Sequence, residues 1–180
     1  VLDQPSRPPQ SGSLQDGPLQ YGVCSVDTLL SMSGLDFLQA IVDGVHPQPP
    51  ICRTVGFALS DVSDGVAIFT GTTCPEPGNP IGTIHGGFAA TLLDSCTACA
   101  VHTIVPQGAT YTTLELKVNM VRALRVETGG VRAEGRVIHR GRQIATSEGR
   151  LVGDDGKLYA HATSTCMIMR GEPEKTRPPK

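Results

Sequence analysis

The sequence has no tryptophan, and only four Phe and three Tyr among 180 residues. A core built on aromatic anchors is therefore excluded, and packing must come from Val, Leu, Ile and small side chains. Charge of one sign is not in excess either, because 15 Lys and Arg stand against 17 Asp and Glu. Such a balance offers no basic stripe for wrapping nucleic acid or coating an anionic membrane. Six cysteines, at 24, 52, 74, 96, 99 and 166, are too sparse for a disulfide scaffold. The start, Val1-Leu2-Asp3-Gln4, lacks the basic residues and apolar run of a secretory signal, so the expectation is a cytoplasmic protein with reduced thiols. Long hydrophobic runs are also missing. The one extended apolar stretch, residues 86–105, is built from Ala, Gly, Cys and Thr more than from Leu, and it carries Asp94 near its centre. That acid alone would cost a membrane span roughly 2.5 to 3.5 kcal/mol.

What is present points to one domain rich in turns, with 21 Gly and 14 Pro. Residues 1–30 are expected to be mostly a flexible tail and residues 171–180 a second one, leaving a single domain over 31–170. Leu35, Leu38, Ile41 and Val42 recur at helical spacing between Ser33, a capping residue, and Gly44, a terminator, which predicts a short accessory helix. Pro47, Pro49 and Pro50 then predict extended chain, followed by strands near 53–60 and 65–73. From residue 110 the period becomes two. Leu114, Leu116, Val118 and Met120 alternate with Thr113, Glu115, Lys117 and Asn119, and similar runs follow over 131–137, 144–151 and 158–169. Gly129-Gly130, Gly141 and Asp154-Asp155-Gly156 fall between them, which predicts four hairpin-linked strands in an antiparallel meander.

Between the strand groups, residues 85–105 are long enough for about five helical turns before Pro106 ends them. This segment is apolar or small nearly all round, so the helix belongs inside a sheet that wraps it, an α+β arrangement. Asp94 is the one acid in it. A carboxylate in such surroundings is either satisfied structurally or serves as a nucleophile or general base with its pKa raised by desolvation. Immediately upstream, Gly78-Asn79-Pro80-Ile81-Gly82-Thr83-Ile84-His85-Gly86-Gly87 forms a loop ending at the helix N-terminus. Unpartnered N–H groups there suit an oxyanion, although a turn that needs glycine, capped by His85, explains the same residues. Gly86 and Asp94 are eight residues apart, roughly 12 Å along one axis. If both act on one bond they must come from two chains, which predicts a site at a two-fold dimer interface. Cys96, Cys99 and His102 drift too far round one helix to share a metal ion, so no metal is expected.

Asn79-Pro-Ile-Gly-Thr-Ile-His85-Gly-Gly, the Ala-Thr-Leu-Leu-Asp94 that follows, and Glu115-Leu-Lys-Val-Asn119 resemble the hotdog-fold acyl-CoA thioesterases of the phenylacetate-degradation (PaaI-like) branch, within the 4-hydroxybenzoyl-CoA thioesterase superfamily. The resemblance covers about residues 34–169. It implies a long central helix enclosed by a curved antiparallel sheet, and homodimers paired as dimers of dimers. It also implies hydrolysis of an acyl- or aryl-acyl-CoA with no cofactor beyond the coenzyme A of the substrate. On that basis Asp94 attacks the thioester or activates water, and the Gly86 N–H of the partner chain polarises the carbonyl. Asn79 and His85 hold the loop and the thioester end, with Gly87 beside them. Thr113, or Thr112 if the register shifts, places the water. Arg140, Gly141 and Arg142 lie where relatives carry a basic hairpin near the nucleotide of coenzyme A, although a solvated turn accounts for them equally well. A hydratase acting on enoyl-CoA fits the loop spacing less well, and a non-catalytic acyl-CoA sensor does not call for Asp94.

Overall fold

Serine and proline start three short helices that lead into the sheet. The computed structural model describes residues 19–170. Helix α1 (Val26–Leu30) is capped by Ser25, and α2 (Gly34–Val42) by Ser33, whose side-chain oxygens accept the Thr28 and Asp36 N–H groups. Helix α3 (Pro50–Val55) begins at a proline, which loses no bond at a first helical position, and ends on Gly56 at φ 84°. Residues 53–55, expected to start a strand, are thus helical. The prolines mark a helix entry rather than continuous extended chain.

Residues 19–30, part of the segment expected to be mostly a flexible tail, lie within the described structure. The Gly22 N–H donates to the Gln48 carbonyl at 3.0 Å and the Gln48 N–H to the Gln20 carbonyl at 2.8 Å. The buried Gln48 side chain in turn exchanges two hydrogen bonds with the backbone of Leu59. Residues 20–22 are thereby tied to the domain, and at the other end of α1 the Leu30 carbonyl accepts the Gly108 N–H at 3.1 Å. The remaining tail expectations, for 1–18 and 171–180, lie outside the described residues.

Strands β1 (Phe57–Ser63) and β2 (Val66–Thr72) precede helix α4 (Gly86–Thr103), which is followed by β3 (Ala109–Met120), β4 (Gly130–Arg140), β5 (Ile144–Gly153) and β6 (Leu158–Arg170). All pair antiparallel in one sheet of order β1-β2-β4-β5-β6-β3. This corrects the four-strand meander. Only β4, β5 and β6 follow one another in space; β3 crosses to the far side of β6 and forms an edge, while β4 pairs with β2. The sheet curves around α4, where Leu92, Leu93, Cys96, Ala100 and Val101 are fully buried. Two glycines let the backbones meet: a methyl on Gly135 would collide with the Cys96 carbonyl, and one on Gly149 would sit 2.8 Å from Thr97 Cγ2.

One irregularity decides what β3 shows the helix. Thr113 pairs with Cys166 and Glu115 with Thr165, so Leu114 is an extra, unpaired residue. Leu114 and Met120, expected to face the core, are 53% and 55% exposed. Before the bulge Ala109 and Tyr111 pack into the core and Thr113 faces α4; after it Leu116 and Val118 pack into the core.

Candidate active site

Asp94 sits half-buried in the middle of α4. Thr113 Oγ1 reaches it from β3 and donates to Oδ1 at 3.4 Å. Burial holds the carboxyl above its usual range, and the Thr113 hydrogen bond pulls back in the opposite direction. The bulge brings Thr113 to this position and leaves Thr112, the alternative, exposed. Behind the pair, the Cys166 Sγ lies 4.0 Å from Thr113 Oγ1, and burial raises its thiol pKa. Tyr111, two residues earlier on the same face, meets Cys99, whose thiol burial pushes up to about 12.

The loop end of α4 is built by its own side chains. The Asn79 N–H donates to the Thr83 carbonyl at 2.7 Å, and Asn79 Nδ2 donates to Thr83 Oγ1 at 3.0 Å and to the Ile84 carbonyl at 3.2 Å. Gly82 supplies the left-handed residue of that turn, at φ 80°. His85 caps the helix. Its Nδ1 accepts the Gly87 N–H at 2.9 Å, so a neutral ring carries its proton on Nε2. The Gly87 amide is thereby occupied, whereas the Gly86 N–H has no hydrogen-bond partner among the described residues. Beside it opens a cavity of about 300 Å³, lined by Asn79, His85, Gly86, Met120, Arg122 and Tyr159 among others. Met120, Arg122 and Tyr159 were not identified from sequence, because no motif marks them. They are brought in by the way β3 ends beside β6.

The candidate residues thus fall into separate groups within one chain. Asp94 and Thr113 form one; Asn79, His85 and Gly86 form another, about 12 Å away along the helix that carries both Gly86 and Asp94. Arg140, Gly141 and Arg142 join neither. The β4–β5 turn closes with the Gly141 N–H donating to the Ile144 carbonyl at 2.7 Å, and both arginines are exposed. Arg140 does share a row across the sheet with Ala145, Cys166 and Thr113, three strand spacings or roughly 14 Å from Thr113. Among the described residues no group of three His, Cys, Asp or Glu is placed to hold a metal ion. His102 packs between the rings of Phe37 and Tyr111, at 5.6 and 4.8 Å, and burial lowers its pKa to about 4, so it is neutral.

The family model of the thioesterase superfamily matches residues 81–160. A solved structure from Ralstonia eutropha JMP134, a phenylacetic acid degradation-related protein provisionally assigned as a thioesterase, is 31% identical. The match covers 73% of this chain and 98% of that one, with a TM-score of 0.66. A conserved Pseudomonas aeruginosa protein of known structure is 29% identical over 67% of this chain and 94% of that one, with a TM-score of 0.62. A provisionally named esterase of the same organism is 39% identical over 91 residues, 50% of this chain, and the chain spans 61% of that curated relative's length. The chain belongs to the thioesterase superfamily and has its hotdog fold.

Proposed function

We propose that this protein hydrolyses the thioester of an acyl- or aryl-acyl-CoA, releasing the free acid and coenzyme A. The observation that carries the reading is the Asp94–Thr113 pair, a carboxylate raised by burial and held by a single hydroxyl on an otherwise uncharged helix. Asp94 either attacks the carbonyl carbon or takes a proton from the water that does. In both cases the carbon–sulfur bond breaks and coenzyme A leaves as the thiolate; after direct attack, water then cleaves the anhydride formed on Asp94 to give the free acid and restore the carboxylate, whereas an activated water enters the acid directly. The developing oxyanion needs a donor, and the Gly86 N–H at the start of α4 lies beside the cavity with no hydrogen-bond partner among the described residues.

A homodimer completes the site, with Gly86 of one protomer facing Asp94 of the other. Its support is the separation of the two residues on α4 and the position of β3 at the sheet edge, where its outer side has no strand partner among the described residues. Pairs of such dimers, as the family resemblance implies, make the larger assembly. No helix among the described residues is long and apolar enough to cross a membrane, and we place the reaction in the cytoplasm. The test is thiol release from a panel of aliphatic and aryl acyl-CoA esters, with Asp94→Asn as the comparison. Turnover of at least one ester that depends on Asp94 supports the reading; a folded wild type that turns over none of them refutes it.

A further inference from the structure

We propose that Met120 decides which thioesters reach the Gly86 amide, favouring acyl groups whose first carbon is unbranched. The inference rests on the reading of Gly86 as the hydrogen-bond donor to the carbonyl. A methyl group placed on the Gly86 Cα would meet both Sδ and Cε of Met120 at 2.7 Å. The thioether therefore occupies the space that the missing side chain of Gly86 leaves open, at the wall of the cavity beside that amide.

Among the side chains around this cavity, Met120 is the one packed over Gly86, and it is free to yield. Ile84, Ala89, Leu124 and Tyr159 are buried within the core, whereas Met120 is 55% exposed at the last position of the edge strand β3. The backbone beyond it is fixed, since the Val121 and Arg122 N–H groups both donate to the Tyr159 carbonyl, at 2.9 and 3.0 Å. Motion is left to the side chain, an unbranched thioether with three rotatable bonds that can change rotamer without leaving a hole in the core of its own chain.

A carbonyl oxygen hydrogen-bonded to the Gly86 N–H stands about 2.9 Å from the nitrogen, which brings the acyl carbon beside the carbonyl close to whatever covers Gly86. A CH₂ or CH₃ beside the carbonyl fits against the thioether. A tertiary or quaternary carbon requires Met120 to swing away, and the site discriminates by that displacement.

The test compares kcat/KM for acetyl-, isobutyryl- and pivaloyl-CoA, which differ only in methyl groups on the first carbon, in the wild type and in Met120→Ala, Met120→Leu and Met120→Phe. Each methyl in a confined site shifts selectivity by about ten-fold or more. Met120→Ala is expected to narrow the preference for acetyl over pivaloyl by about that factor, Met120→Phe to widen it, and Met120→Leu to keep it within about three-fold. Parallel changes for all three esters in every variant, with Asp94-dependent hydrolysis intact, overturn the role of Met120 alone. A folded wild type that hydrolyses neither these esters nor any other acyl-CoA overturns the thioesterase reading, and the role of Met120 falls with it.

Discussion

Thr113 on β3 and Asp94 on α4 are joined by a hydrogen bond of 3.4 Å, and the bond opposes the effect of burial on the carboxyl. The edge of the sheet thereby helps to set the protonation of a group on the central helix. Deletion of either partner is expected to leave a distinct signature.

Asp94→Asn keeps the volume and removes the proton acceptor, so kcat is expected to fall by roughly 10²- to 10⁴-fold. The same variant is informative about stability. Because burial raises the folded-state pKa, the native state binds the proton more tightly than the unfolded chain, and this residue's contribution to stability declines as pH rises through the folded pKa. At pH 7 Asp94→Asn should therefore melt no lower than wild type, and any gain should vanish in acid, where Asp94 is neutral. Thermal melts at the two pH values check this, and a variant that melts much lower at pH 7 contradicts it.

Thr113→Val removes the hydroxyl while keeping the branched shape. Loss of a hydrogen bond that favours the charged carboxylate should raise the Asp94 pKa further and move the acid limb of the kcat/KM profile to higher pH. Thr113→Ser should keep the limb near its wild-type position. Coincident profiles for wild type and Thr113→Val would show that the hydroxyl has no part in setting the titration.

Mixing two crippled subunits tests the shared site. Asp94→Ala removes the carboxylate, and Asn79→Ala removes the side-chain bonds that hold the loop before Gly86. Each homodimer should be nearly inactive, whereas a heterodimer retains one site with both halves intact. Activity should recover toward a quarter of the wild-type level if subunits exchange at random at equal concentrations. Heterodimers that form and remain inactive would place the whole site within one chain.

Arg140 and Arg142 flank Gly141 in an exposed turn, and any contact they make with the nucleotide of coenzyme A is remote from the reacting bond. Binding that is equal in ground and transition states appears in KM and spares kcat. Replacing both with Ala should raise KM for the CoA ester, less so at high salt, and barely affect a thioester truncated before the nucleotide. Equal losses of kcat on both substrates would assign the turn to the fold instead.

The central helix, its His85 cap and the isolated Asp94 were legible because each depends on local pattern: a long apolar run, a residue able to cap, one charge out of place. The place of β3 was not, since a regular alternation does not say which strand it pairs with, and neighbours in sequence are only the commonest choice. The bulge was hidden for a more specific reason. Leu114 continues the apolar alternation of Leu116 and Val118, so the one residue that leaves the ladder looks like the most regular member of it. Helix α3 was masked by three prolines in four residues, two of which precede it and one of which begins it. Met120 and Tyr159 carry no chemical signature at all and enter the candidate site only through the pairing of β3 with β6.

Leu114 also makes the strand behave like a sentence with one spare syllable. If that residue were lost, Thr113 and Glu115 would become neighbours opposite Cys166 and Thr165, which are neighbours already, and the ladder would close without a gap. Alternation would then run unbroken from Val118 back through Leu116, Thr113 and Tyr111, so none of these side chains would change face. The threonine beside Asp94 and the tyrosine beside His102 would both keep their places. A shortening of β3 at this point would therefore be forgiven along the whole helix, whereas the loss of a paired residue would turn one end of the strand over.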